Sequence, residues 1–252
     1  MRKITRSDLP KQTSRYLERK QSEVNSGKDA RRTWKYSRKT KAMKDVAFRL
    51  SSMSGRRQRC MFCEDSRGTD IDHFWPLSTY KEHSFVWKNL LWICAACNKV
   101  KGPRLDLDQA GHPLLIDPTA DDPWDHLYYD SRTGRITARY NHISEQPSPK
   151  GVYTTDAKVL PLNVEAITES RQRVQRNLRR AVRNFLEQAG SLHDRGLLAE
   201  ELVAAIRDNN DYGLGVWFFI QRGSDEPPFS ELKASDSNAW LRVVVEVESK
   251  DN

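Results

Sequence analysis

The sequence contains Cys60-Met61-Phe62-Cys63 and, further along, Cys94-Ala95-Ala96-Cys97. These two stretches hold all four cysteines of the 252-residue chain. Two Cys-x-x-Cys pairs with no cysteine left over predict a tetrahedral zinc ion held by four thiolates. Such an ion has no open coordination position, so its predicted role is structural. The rival interpretation, two structural disulfides, is disfavoured by the two-residue spacing and by the length of the chain.

Three polar residues take fixed positions relative to these pairs. Asp72 and His73 lie between them, and Asn98 directly follows Cys97. Aspartate and asparagine offer oxygen ligands that suit Mg²⁺, and a neutral histidine can take a proton from water near pH 7. This combination suits the hydrolysis of a phosphodiester. Each residue alone is more typical of a solvated polar position, and it is their placement around both cysteine pairs that favours a shared site.

The adjacency of Asp72 and His73 sets a condition on that site. Neighbours in a regular strand point to opposite faces, so both residues can serve one site only if the strand ends or twists there. Pro76, three residues after the histidine, is a suitable place for such an interruption.

Basic residues near the cysteines are the predicted nucleic-acid contacts. Lys101 follows Asn98 by three residues on a predicted helix, so the two share a face and Lys101 can reach a substrate phosphate. Arg56, Arg57 and Arg59 precede Cys60, and a zinc ion would hold them near the site.

The charge of the chain is unevenly distributed. The net charge is +8, yet residues 1–59 hold 19 Lys and Arg against 5 Asp and Glu, whereas residues 191–252 hold 6 against 12. Clustered basic residues attract phosphate backbones, so a polyanion-facing front and an acidic back are expected; a merely solvated basic helix is the alternative. The longest apolar run, from Tyr212 to Ile220, is too short to span a bilayer, and no apolar leader is visible, which predicts a cytosolic protein.

Apolar periodicity and chain breakers predict the remaining elements. Helices are expected at 11–25, 28–50, 94–101, 164–186 and 197–207, strands at 69–74 and 241–247, a strand pair around the turn at 131–134, and a loop at 141–157.

Four stretches together resemble the HNH endonuclease family with its ββα-metal fold: Cys60–Cys63, Asp72–Pro76, Trp87–Leu91 and Cys94–Gly102. The resemblance implies that His73 is the general base and that Asp72 and Asn98 bind a catalytic divalent metal. It implies that Asn89 fixes the loop and the orientation of the histidine, and that the four cysteines form an accessory zinc site. Asparagine stands where many members have histidine, and oxygen ligation favours Mg²⁺ or Mn²⁺.

Further stretches resemble the nuclease subunits of Septu-type and retron-associated anti-phage systems, in which the nuclease works with an ATPase partner. These stretches are Pro113–Pro118, Asp122–Leu127 and Leu160–Asn163, ahead of an arginine-rich helix. The resemblance implies an anti-phage effector that hydrolyses nucleic acid, with DNA favoured over RNA. The alternatives are a zinc-stabilised nucleic-acid-binding module without catalysis, and an adaptor whose acidic 191–252 region docks a partner.

The expected fold class is therefore α+β. It consists of a ββα-metal core with a structural zinc, embedded in mainly α-helical flanks. The predicted units are a basic helical region at 1–57, the nuclease core at 58–120, a small hairpin and loop extension at 121–163 and a helical region at 164–252.

Overall fold

The two cysteine pairs are brought together by a short β-hairpin. In a computed structural model, which describes residues 1–188 and 195–249, strand β1 (Asp70–His73) runs antiparallel to β2 (Leu90–Ile93). Their register places Asp70 opposite Ile93 and His73 opposite Leu90. Helix α4 (Ala95–Lys101) follows β2 directly, capped by Cys94 at its start and by Gly102 at its end. The strand predicted at 69–74 and the helix predicted at 94–101 are both present.

Three helices precede the hairpin: α1 (Lys11–Asn25), α2 (Ala30–Ser37) and α3 (Lys41–Met53). The single helix predicted at 28–50 is wrong, because the chain turns between Ser37 and Lys41. Thr40 starts the new helix, since its side-chain oxygen accepts a hydrogen bond from the Met43 amide at 3.4 Å.

The middle of the chain is a set of small elements. They are α5 (Pro123–His126), β3 (Leu127–Asp130), β4 (Arg135–Ala138), β5 (Tyr140–Asn141), β6 (Gln146–Pro147) and α6 (Pro149–Thr155). Strands β3 and β4 form the predicted pair around the turn at 131–134. The loop predicted at 141–157 is wrong, because Ser148 caps α6 and proline occupies its first position, a common way to start a helix.

The C-terminal part is helical, with α7 (Glu165–Gln188), α8 (Arg195–Asn209), α9 (Leu214–Phe219), α10 (Phe229–Ser235) and α11 (Ser237–Ser249). The strand predicted at 241–247 is wrong, because this segment lies within α11. Its valines follow a helical period: Trp240, Val243 and Val247 are buried at spacings of three and four, while Leu241 and Val245 are exposed. Residues 191–194 and 250–252 of the predicted acidic region lie outside the described residues.

The first residues of the chain are tied to the hairpin. The Arg6 guanidinium donates hydrogen bonds to the carbonyls of Trp87 (3.0 Å), Lys88 (2.8 Å) and Leu90 (3.0 Å). The Met1 amine pairs with Glu64 at 3.3 Å, next to the first cysteine pair. The segment before α1 therefore holds both the start of β2 and the cysteine-bearing loop.

The described structure is thus a mixture of helices with three two-stranded sheets. Its buried apolar residues form a cluster that extends from Met1 to Val247. No helix among the described residues is long and apolar enough to cross a membrane. The division into four units stays a prediction.

The burial pattern of α11 gives a test of helix against strand. Val243→Ala removes two fully buried methyl groups and should lower the free energy of unfolding by about 2 kcal/mol, measured by urea denaturation. Val245→Ala, at a position 62% exposed, is the matched control and should change it by less than about 0.5 kcal/mol. In a strand the two residues would share a face, and equal losses would contradict the helix.

Candidate metal centre

The four cysteine side chains converge at one point. Their sulfur atoms all lie within 4.8 Å of one another, and all four residues are buried. The Cys63 and Cys94 sulfurs are 3.8 Å apart, close to the edge of about 3.8 Å of a tetrahedron with zinc–sulfur bonds of about 2.3 Å. None of the four forms a disulfide. The cluster can hold a structural metal such as zinc, and the alternative of two disulfides is not found.

Backbone hydrogen bonds shape this cluster. The Glu64 amide donates to the Cys60 carbonyl at 3.0 Å, and the Met61 amide donates to the Trp92 carbonyl at 2.9 Å, which joins the first pair to β2. Burial raises the pKa of the Cys60 thiol, whereas its hydrogen bond to Cys63 lowers the pKa of Cys63 to about 7. A bound dication would replace the thiol protons by favouring the thiolate form.

His73, the last residue of β1, is buried and held in one tautomer. Its Nε2 lies 2.9 Å from the Ser84 carbonyl, which can only accept, so Nε2 carries the proton and Nδ1 is left with a lone pair. No other group of the described chain forms a hydrogen bond to the ring. Burial lowers the pKa of His73, which keeps the imidazole neutral near pH 7. These are the properties of a proton acceptor.

Helix α2 covers the imidazole. The Trp34 ring meets the His73 ring edge-on, with centroids 4.3 Å apart, and also packs on Phe85 at 5.2 Å. The histidine is therefore enclosed by the N-terminal helices as well as by the loop that follows β1.

Asn89 organises that loop. Its side-chain oxygen accepts from the Trp75 amide at 2.6 Å, and its amide group donates to the carbonyls of Trp75 (3.1 Å) and His83 (2.8 Å). The loop between His73 and Ser84 is thereby fastened to the residue before β2, and this loop carries the carbonyl that orients His73.

Asp72 and Lys101 form a buried ion pair. The Lys101 ammonium lies 2.8 Å from the Asp72 Oδ2 atom and donates to the His73 carbonyl at 2.8 Å, and the side chain is 1% exposed. The contact with Oδ2 lacks hydrogen-bond geometry, so this buried oxygen keeps free acceptor capacity. Because the Lys101 ammonium points inward, the structure favours a positioning role over the predicted phosphate contact.

Asn98 lies on the side of the hairpin that Asp72 and Lys101 occupy. It lines a shallow cleft with Arg38, Thr69, Asp70, Ala95 and Lys99. Asp70 and Asp72 share a face of β1, as do Asn98 and Lys101 on α4, so the two rows run side by side. The Asn98 carboxamide has no hydrogen-bond partner among the described residues and is available as a ligand.

The structure separates His73 from these oxygens by the pleat of β1. The ladder with β2 continues through His73, so its ring faces α2 while Asp72 faces α4. The strand ends at this residue, as the sequence requires if both are to serve one site. A substrate in contact with both must therefore lie across the end of β1.

The arginines predicted to contact nucleic acid do not line the cleft beside Asn98. Arg57 pairs with Asp211 and donates to the Asp208 carbonyl at 3.1 Å, and the Arg59 Nε atom lies 3.4 Å from Asp211. Both therefore join the cysteine-bearing loop to the C-terminal helices. Arg56 is exposed and lines a groove beside these pairs.

Three charged residues of the cleft, Asp70, Arg38 and Lys99, were missed from the sequence. Asp70 lies two residues before Asp72, so strand periodicity alone could have placed it on the same face. Arg38 is separated from the hairpin by more than thirty positions and carries no comparable signal. Its guanidinium donates to the Asp70 carboxylate at 2.6 Å.

Comparison with known proteins gives one partial similarity. No family model matches the chain. It is 30% identical over 120 residues to the Septu protein PtuB of Bacillus thuringiensis, a match that covers 46% of this chain and 40% of that protein. The chain therefore aligns with less than half of the length of this relative.

The cysteine cluster predicts a simple thiol titration. Because the chain has four cysteines and all four lie in the cluster, a thiol reagent reports on this site alone. Protein purified without chelator should contain one zinc per chain and react slowly, and a strong chelator should expose all four thiols. Fast reaction of all four thiols in protein that carries zinc would contradict the assignment.

The placement of Lys101 predicts a difference between two lysines of α4. Lys101→Met leaves the Asp72 carboxylate without its buried partner and should lower the free energy of unfolding by about 3 kcal/mol. The control Lys99→Met, at an exposed position, should change it by less than about 0.5 kcal/mol. Equal thermal denaturation profiles for the two variants would show that the ion pair does not contribute.

Proposed function

We propose that this protein is a divalent-metal-dependent endonuclease of the HNH type, and that β1, β2 and α4 are its ββα-metal core. The observation that supports the proposal is the position of Asp72 and His73 at the end of β1, next to the helix that carries Asn98, in a unit that a four-cysteine cluster closes. The Asn89 hydrogen bonds, which hold the loop around the histidine, support the same assignment.

His73 is the proposed general base. Its Nδ1 atom takes a proton from the attacking water, while the Ser84 carbonyl keeps the Nε2 proton in place and so fixes the ring. The resulting imidazolium is stabilised by the same carbonyl and by the nearby carboxylate of Asp72. Asn89 acts indirectly, because it holds the loop that carries Ser84.

Asp72 and Asn98 are the proposed ligands of a catalytic Mg²⁺ or Mn²⁺ ion. Their donor atoms fit such an ion: the Asp72 Oδ2 atom is buried without a hydrogen bond, and two protein oxygens completed by water are typical of Mg²⁺. When bound, the metal supplies positive charge to the phosphate and to the leaving 3′ oxygen. Lys101 contacts this same oxygen at 2.8 Å, so the ammonium and the metal would share the Asp72 carboxylate.

The biological role that we propose is anti-phage defence together with a partner protein. It rests on the similarity to the Septu protein PtuB, which covers less than half of each chain. The predicted ATPase partner and the preference for DNA are parts of this proposal.

A second candidate is a zinc-stabilised nucleic-acid-binding module without catalysis. Two observations favour it: His73 is only 5% exposed, and an ammonium group already neutralises Asp72. A binding module would need neither the imidazole nor the carboxamide, so substitution of these groups separates the two candidates.

The nuclease proposal predicts that His73→Ala abolishes cleavage of plasmid DNA in Mg²⁺ or Mn²⁺, because the proton acceptor is lost. Zinc content and the melting temperature should show whether the fold is kept. His112→Ala, at an exposed residue outside the hairpin, is the control and should cleave at the wild-type rate. Cleavage by His73→Ala at the wild-type rate would exclude the mechanism. Intact plasmid with wild-type protein that binds DNA, partner included, would favour the binding module.

A further inference from the structure

The basic residues that face the candidate site differ from those predicted. Lys101 is buried, and Arg57 and Arg59 pair with Asp211. The cleft beside Asn98 is instead flanked by Arg38 and Lys99. Arg56 is exposed, but it lines the groove beside Arg57 and Arg59. The basic residues that line the cleft with Asn98 are therefore not the predicted ones.

Helix α2 and the residues that follow it are strongly basic. Between residues 30 and 44 the chain has seven Lys and Arg and no Asp or Glu. Arg31, Lys35 and Arg38 are spaced by four and three positions, so they form one row along the helix, named here the α2 row. All three are exposed, and within the described residues neither Arg31 nor Lys35 has an ion-pair partner.

The position of the α2 row is fixed relative to the candidate site. Trp34, which packs edge-on against the His73 ring, lies on α2 between Arg31 and Arg38. At the other end of the row, Arg38 donates to the Asp70 carboxylate at 2.6 Å and lines the cleft with Asn98. The row therefore passes beside the buried histidine and ends at the cleft that Asn98 lines.

We propose that the α2 row binds the phosphate backbone of the nucleic-acid substrate, and that Arg38 and Lys99, which line the same cleft, hold the phosphate that lies in it. The inference rests on the proposed function and names the residues that bring its substrate to the site. A guanidinium has five N–H donors, so Arg38 can keep its bond to Asp70 and still present others to a phosphate. Asp70 is then a positioning residue for Arg38.

Binding measurements test the α2 row separately from catalysis. Fluorescence anisotropy of labelled single- and double-stranded DNA and RNA oligonucleotides is measured with the full chain carrying His73→Ala, and with wild-type protein in Ca²⁺. Arg38→Ala should weaken binding by about tenfold and reduce the slope of log affinity against log salt by about 1. Arg38→Lys should restore part of the affinity, because it keeps the charge but loses the planar fork.

Charge reversal gives the matched control. Arg31→Glu with Lys35→Glu should weaken binding by more than tenfold at low salt, because it replaces attraction by repulsion along the row. Arg176→Glu with Arg183→Glu changes the net charge equally at exposed positions of α7 and should change the affinity by less than about twofold. Thermal melting of each variant controls for folding.

The outcomes separate the inference from the proposed function. Wild-type protein that binds no oligonucleotide, or equal losses for the α2 and α7 reversals, would overturn the inference. The inference would also be overturned if a poly-glutamate peptide binds, and the substitutions in the α2 row weaken that binding, while nucleic acid does not bind. If wild-type protein binds nucleic acid through the α2 row but does not cleave it, the inference is supported and the proposed catalysis fails. If the protein cleaves nucleic acid and Arg38→Ala leaves cleavage unchanged, the proposed catalysis is supported and the inference fails.

Discussion

A cage of four sulfur atoms joins two parts of the chain whose nearest cysteines are 31 residues apart. The hairpin between them has only four residue pairs in its ladder, too few for stability in isolation. The cysteine cluster closes one end of the hairpin, and Arg6 holds the start of β2 at the other through three carbonyl groups. Asp72 and His73 lie between these two fastenings. Both fastenings thus help to fix the positions of Asp72 and His73 relative to α4.

Charge placed in the interior organises the centre of the hairpin. Burying an ion pair is costly, and its desolvation can exceed the Coulombic gain, so such a pair is weak evidence for stability as such. Here the Lys101 ammonium contacts both the Asp72 carboxylate and the His73 carbonyl, and so fixes two adjacent residues of β1 from α4. Because Lys101 is buried, the basic residues that line the cleft beside Asn98 are Arg38 and Lys99.

The parts of the fold that local chemistry determines were predictable from the sequence. The cysteine spacing indicated the cluster, and the Gly102 and Pro76 breakers bounded α4 and β1. The errors came from segments where side-chain type and periodicity disagree. The valines of α11 are β-branched and suggest a strand, yet packing against α8 and α9 selects a helix with Val243 and Val247 inward. The partners of Arg38, Arg57 and Arg59 are set by tertiary contacts over long separations, which spacing along the chain does not encode.

The confinement of every cysteine to the sulfur cage leaves the exterior without a native thiol among the side chains. A single cysteine introduced at an exposed position would thus be the one cysteine that maleimide can label while the cysteine cluster holds a metal ion. Dyes or spin labels could be attached there without first deleting native residues. Because all four cysteines belong to the cluster, an oxidant that attacks cysteine sulfur in this chain acts directly on the cluster that closes the hairpin.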